Sequence, residues 1–136
     1  MIATDEQDLV EEILGLTGGK GARIVFDPVG GPTVAKLAKA TAQLGIIFEY
    51  GALSTEPTPL PLFDVLGKWI AIRGYVMLEI TSDPARLVRA KSFINEGIAD
   101  GIFKPLIART FPLEEIVEAH RYLESNQQVG KIVVTV

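Results

Sequence analysis

The chain has 136 residues, no cysteine, a formal net charge of −4 and 48% hydrophobic residues, with a pI of about 5.0 and a mean hydropathy of +0.30. Those values describe one folded domain rather than a disordered tail, and they exclude disulfides, thiolate-held zinc and a cysteine nucleophile. The Lys and Arg residues are scattered, so no basic patch suits a nucleic-acid backbone.

An apolar content this high implies a deep core, a large partner interface, or both. The most apolar stretch, Leu60 to Leu78, is interrupted by Pro61, Asp64, Lys68 and Arg73, so no membrane span is expected. Asp5, Glu6 and Asp8 stand where a secretory leader needs positive charge. With the absence of Cys, this gives a cytoplasmic expectation.

Thr4 to Gln7 has the spacing of a capping box. Leu9, Val10, Ile13, Leu14 and Leu16 recur at helical intervals, which predicts a helix from about 5 to 16 stopped by Gly18-Gly19. Arg23 to Phe26 reads as a buried parallel strand ending in Asp27-Pro28-Val29-Gly30-Gly31. Pro32 then opens a helix with the stripe Val34, Leu37, Ala38, Thr41 and Leu44, ended by Gly45. Ile46 to Tyr50 is a second strand. A proline-rich loop leads to a helical turn over Leu62 to Lys68, and Trp69 to Leu78 reads as a third strand.

Strand, helix, strand, helix, strand with short links is the pattern of right-handed crossovers in a parallel α/β sheet. Ser82-Asp83-Pro84 opens a further helix with Leu87, Val88, Ile94 and Ile98 facing inward. Lys104 to Phe111 reads as a strand. Leu113, Ile116, Val117, His120 and Leu123 share one face of a last helix, and Lys131 to Val136 forms a closing strand. The whole reads as one compact unit, residues 1–136, with a return segment at about 103–136.

Gly15 to Gly21 fails as a P-loop. Its glycine spacing is one short, Lys20 has no Ser or Thr after it, and the segment ends a helix. No G-x-G-x-x-G occurs, so Asp27 lacks the fingerprint that precedes a ribose-binding acid and reads as a solvated turn residue. His120, on an apolar stripe, reads as a packed core histidine. Glu114, Glu115 and Glu118 suit a helix start.

In open α/β sheets ligands bind beyond the carboxyl ends of the strands. The candidate loops there are Pro28-Val29-Gly30, Tyr50-Gly51-Ala52 and Arg73-Gly74-Tyr75. Each holds a glycine that either admits a ligand closely or simply turns the chain.

The runs Phe26 to Gly31, Tyr50 to Leu53 and Ile72 to Tyr75, with Ile116 to Glu124 and Gly130 to Val134, resemble the medium-chain dehydrogenase/reductase superfamily. The Tyr-Gly-Ala-Leu and Asn-Gln-Gln-Val-Gly-Lys stretches are most similar to NADPH:quinone reductases and zinc-type alcohol dehydrogenase relatives. The resemblance implies the C-terminal half of such a protein: a partial Rossmann-type parallel sheet without its first strands and glycine fingerprint. Its last strands would belong to the catalytic domain in full-length relatives.

It further implies NADPH as cofactor and hydride transfer to a quinone or activated alkene. Pro28, Val29 and Gly30 would border the riboses. Tyr50, Gly51 and Ala52 would line the nicotinamide, the backbone at Ala71 to Arg73 would meet its carboxamide, and Lys131 would reach the pyrophosphate. No catalytic residue or metal ligand is assigned, since zinc ligands in relatives lie outside this portion. A homodimer through strand Ile70–Leu78, or through the open edge at Arg23–Phe26, is expected. The alternative is a non-enzymatic dimeric assembly module that binds no cofactor.

Overall fold

The computed structural model describes residues 2–4, 6–125 and 127–136. The chain forms two compact units, Met1–Thr81 and Ser82–Val136.

In the first unit, α1 (Leu9–Leu16) leads to β1 (Ala22–Asp27), α2 (Thr33–Ala40), β2 (Thr41–Glu49), α3 (Leu62–Lys68), β3 (Ala71–Gly74) and the short α4 (Leu78–Thr81). The strands form one parallel sheet in the order β1-β2-β3, as the alternation of strands and helices predicts.

The cap of α1 is Asp8, whose Oδ1 accepts from the N–H groups of Val10 at 2.9 Å and Glu11 at 3.0 Å. Those bonds, that of Glu11 foremost, hold its carboxyl below the usual range. The capping box expected at Thr4 falls in a preceding turn, where Gln7 Oε1 accepts from Ala3 N–H at 2.9 Å. Asp5, the expected first helical residue, lies outside the described residues. Gly18 and Gly19 take positive φ and Gly19 N–H donates to Leu14 O at 2.7 Å, so this glycine run is a helix stop.

The second helix ends four residues earlier than its stripe predicts. Thr41 is extended, with φ −80° and ψ 139°, and begins β2 at once. A cap for its end comes from far away in sequence. The Lys68 ammonium enters from α3 and donates to the carbonyls of Ala38 at 2.6 Å, Lys39 at 2.8 Å and Thr41 at 2.9 Å. The Ala38 carbonyl also accepts from Thr41 N–H, so the ammonium is an added partner at the helix end, where a cation suits the dipole. Residues Thr41 to Gly45 then form an irregular start to β2: Ala22 pairs with Thr41, but Ile24 pairs with Ile46. Leu44, expected on the helix stripe, adopts φ 59° and is exposed.

The third strand is shorter than Trp69 to Leu78. Trp69 caps α3 in the left-handed region, pairing is confined to Ala71–Gly74, and Leu78 lies in α4.

Helices clothe one face of this sheet. Ala38, Ile47 and Ile70 form its core, with Val25, Leu37 and Ile72 packed against them. Strand alternation puts Ile24, Phe26, Ile46, Phe48 and Arg73 on the other face, where Phe26 is 62% exposed and stacks on Phe48 with ring centroids 5.1 Å apart.

In the second unit, α5 (Pro84–Ala99) is followed by β4 (Ile107–Pro112), α6 (Ile116–Glu124) and β5 (Lys131–Thr135), with β4 and β5 parallel. Asp83 caps α5 through Ala85 and Arg86 N–H. The stripe expected to face inward on α5 does not: Val88, Ile94 and Ile98 are exposed and Leu87 is half-buried. The buried residue of α5 is Gly97, which lies against the Phe103 ring. Phe111 and Ala119 supply the buried apolar side chains of this unit.

Replacing Lys68 by Met should remove the three-carbonyl cap while keeping the aliphatic stem. The expected loss is about 1–3 kcal/mol in urea unfolding, the cost of orphaned polar groups. An unchanged midpoint would contradict the capping role.

Candidate functional site

Parallel register sets the geometry of the strand ends. Asp27 is opposite Glu49, and Glu49 is opposite Gly74, so all three chains leave the sheet at one edge. Tyr50 N–H donates to Asp27 O at 3.0 Å and Tyr75 N–H to Glu49 O at 2.9 Å. The candidate loops after β1, β2 and β3 therefore lie side by side.

The first two loops are joined further. Leu53 N–H donates to Pro28 O at 3.2 Å and Ser54 N–H to Val29 O at 2.9 Å. Gly31 N–H donates to Thr58 Oγ1 at 2.7 Å. Gly51 must be glycine on steric grounds, because a Cβ there would stand 2.5 Å from Pro28 O. Gly30 and Gly31, with φ of 67° and 66°, turn the chain in the left-handed region that other residues avoid. Val29 and Tyr50 present exposed side chains on the resulting surface.

Asp27 is not the solvated turn residue expected from sequence. It is 3% exposed, and its Oδ1 and Oδ2 accept from Val29 N–H at 2.8 Å and Gly30 N–H at 3.1 Å. The turn's donors thus point at their own carboxylate. The loop can offer a close backbone wall to a ligand, but the N–H groups of Val29 and Gly30 are already taken. Beside it, burial first and the Asp27 charge second push the Glu49 carboxyl above the usual glutamate range.

Arg73 is turned to the open face of the sheet. Its guanidinium pairs with Glu79 at 2.7 Å and lies over the Phe48 ring, 5.7 Å from the centroid. Its backbone, not its charge, is what borders the strand-end edge.

Lys131 belongs to the second unit. It opens β5, with its N–H on Leu106 O at 2.7 Å, and borders a cleft of about 330 Å³ with His120 and Gln128 above an apolar floor that includes Ala119, Leu123 and Ile132. His120 is exposed on α6, not packed in a core. The buried face of that helix is carried by Ala119, one residue earlier. Among the described residues no three His, Asp or Glu side chains gather as metal ligands.

Sequence reading missed Glu49, Ser54 and Thr58. The signal for Glu49 was present: two acids closing consecutive parallel strands become neighbours once the strands are aligned at their ends.

Gly51→Ala should drive its methyl into Pro28 and part the two loops. A loss of about 1–3 kcal/mol on unfolding is expected. Accommodation at no cost would mean that the loops are not packed as described.

Residues 2–134 match the zinc-binding dehydrogenase family. The chain is 28% identical over 134 residues to 2-haloacrylate reductase of Burkholderia sp., covering 94% of this chain and 39% of that protein. It is 30% identical over 129 residues to quinone oxidoreductase 1 of Escherichia coli K12, covering 92% and 39% respectively. The solved structure of Escherichia coli quinone oxidoreductase complexed with NADPH superposes with a TM-score of 0.86 at 27% identity, over 99% of this chain and 42% of that one. The chain therefore spans about two-fifths of the length of these relatives. It belongs to the zinc-binding dehydrogenase family, within the medium-chain dehydrogenase/reductase superfamily, and corresponds to its C-terminal portion.

Proposed function

We propose that these residues form the nicotinamide-side wall of an NADPH-dependent oxidoreductase that reduces a quinone or an activated alkene. The observation that carries this reading is the gathering of the loops after β1, β2 and β3 at one carboxyl edge of a parallel sheet, the place where such sheets bind ligands. One relative is named for a quinone and another for a haloacrylate, an activated alkene. The Escherichia coli relative was solved in complex with NADPH.

NADPH, when bound, supplies a hydride from nicotinamide C4. The work of this chain is to position that ring. Pro28 to Gly30 and Gly51 to Ala52 give a closely approachable backbone wall. Tyr50 supplies an exposed ring at the same edge. The Ala71 to Gly74 backbone borders the same edge at β3. Lys131, taken by itself in the second unit, is the cation that the family resemblance assigns to the pyrophosphate. The strand-end residues of the first unit suit the nicotinamide half of the cofactor; the glycine fingerprint for the pyrophosphate does not occur among the 136 residues. They do not fit the zinc for which the family is named, since the chain has one His and no Cys and, among the described residues, no three His, Asp or Glu side chains gather; no step is drawn through a metal.

A second reading, an assembly module that binds no cofactor, is favoured by one observation. The sheet is bare on one face and open at the edges of β1 and β3, with Ile24 and Phe26 in water. Exposed apolar surface of this kind marks interfaces. A second copy pairing along β3, or along β1, would close an open edge and continue that face into a larger apolar surface.

NADPH titration followed by nicotinamide fluorescence should saturate, and Lys131→Ala should weaken it about tenfold, the worth of one charge-assisted hydrogen bond. No saturation at millimolar NADPH would overturn the cofactor reading and leave the assembly module. Sedimentation of the chain should show a dimer that Phe26→Ser or Ala71→Pro dissociates; a monomer at every concentration would refute the pairing.

A further inference from the structure

Asp27 and Glu49 close adjacent parallel strands and are register partners. Alternation places both on the helix-covered face, in line with Val25 and Ile47. Asp27 is buried and both of its oxygens already accept from the turn that follows. Glu49 stands beside that carboxylate as its register partner, and its Oε1 is shut off from solvent with no hydrogen-bond partner among the described residues.

The charge acting on Glu49 is that of Asp27. From the β3 side, Arg73 is engaged with Glu79 and Tyr75 sets its ring against Phe48. After β2, Tyr50 sets its ring against Phe26. The loop tied to Gly31 carries one titratable group, Glu56. At the opposite end of α2, Lys68 is held by three carbonyls. Two carboxyl groups set side by side at the ends of paired strands cannot both ionise cheaply, and one retained proton satisfies both.

We propose that Asp27 and Glu49 hold one proton between them, carried by Glu49 and donated to Asp27, and that this proton clamps the Pro28–Gly30 turn to the end of β2. The clamp concerns the fold of the turn and stands whether or not NADPH binds beside it.

The direction of the pH dependence follows. Burial and the Asp27 charge raise the folded-state value of Glu49 above its unfolded one. Its stabilising share is therefore complete below the ordinary glutamate range, and is lost as pH rises through the folded-state value. Above that value two anions abut beneath the turn.

Glu49→Gln keeps a donor toward Asp27 at every pH. Thermal unfolding of both proteins between about pH 4 and about pH 8 should give similar midpoints at the acid end. At the alkaline end the variant should be higher by on the order of a few degrees. Parallel curves, or a variant less stable at the alkaline end, would overturn the proposal. A carboxyl-carbon NMR titration of wild type tests it without any variant: Glu49 should titrate above the exposed glutamates. In Asp27→Asn it should move back toward them. A Glu49 that titrates with the others in wild type sinks the idea.

Discussion

The parallel register of β1, β2 and β3 is the constraint from which the rest of the first unit follows. Hydrogen bonding in a parallel ladder fixes which residues stand abreast, and here it sets Asp27, Glu49 and Gly74 in one row. Because all strands run the same way, every loop that leaves this row emerges at the same edge. Slipping one strand by a single residue would send Ile47 to the open face and part the two carboxyl groups. The core beneath α2, the joined loops and the acid pair are thus three results of one alignment.

Much of that alignment is legible in the residues themselves. Short β-rich runs bounded by glycine mark β1 and the regular part of β2, and the helices between them force parallel pairing. What escapes is whatever depends on contacts distant in sequence. The stripe from Val34 to Leu44 is helical by periodicity, yet the helix stops at Ala40, where an ammonium 28 residues further on, that of Lys68, seals carbonyls at its end. The strand predicted from Trp69 to Leu78 is apolar but for Arg73 and Gly74, and it pairs only where β2 still runs beside it. Asp27 looks like a turn acid because its burial comes from the loop that folds over it. Glu49 carries no local signal; it becomes chemically interesting only through its neighbour.

The apolar content also resolves differently in space than in composition. A high hydrophobic fraction suggested a deep core, a large interface, or both. The buried apolar residues of the first unit form a small set around Ile47 and Ala38 and those of the second are Phe111 and Ala119, while Ile24, Phe26, Phe93, Ile98 and others are exposed. Parallel sheets are ordinarily covered on both faces, and this one is covered on one. In the family to which the chain belongs, the relatives extend well beyond the portion matched here.

A sheet clad on one side has a thermodynamic consequence. Whatever surface comes to lie on Phe26 and Phe48 binds the folded chain and not the unfolded one, so by mass action it adds to folding stability as the logarithm of its concentration. The unfolding midpoint of this chain is then no fixed constant of its sequence. It rises and falls with the abundance of whatever covers that face, and folding and company become a single equilibrium.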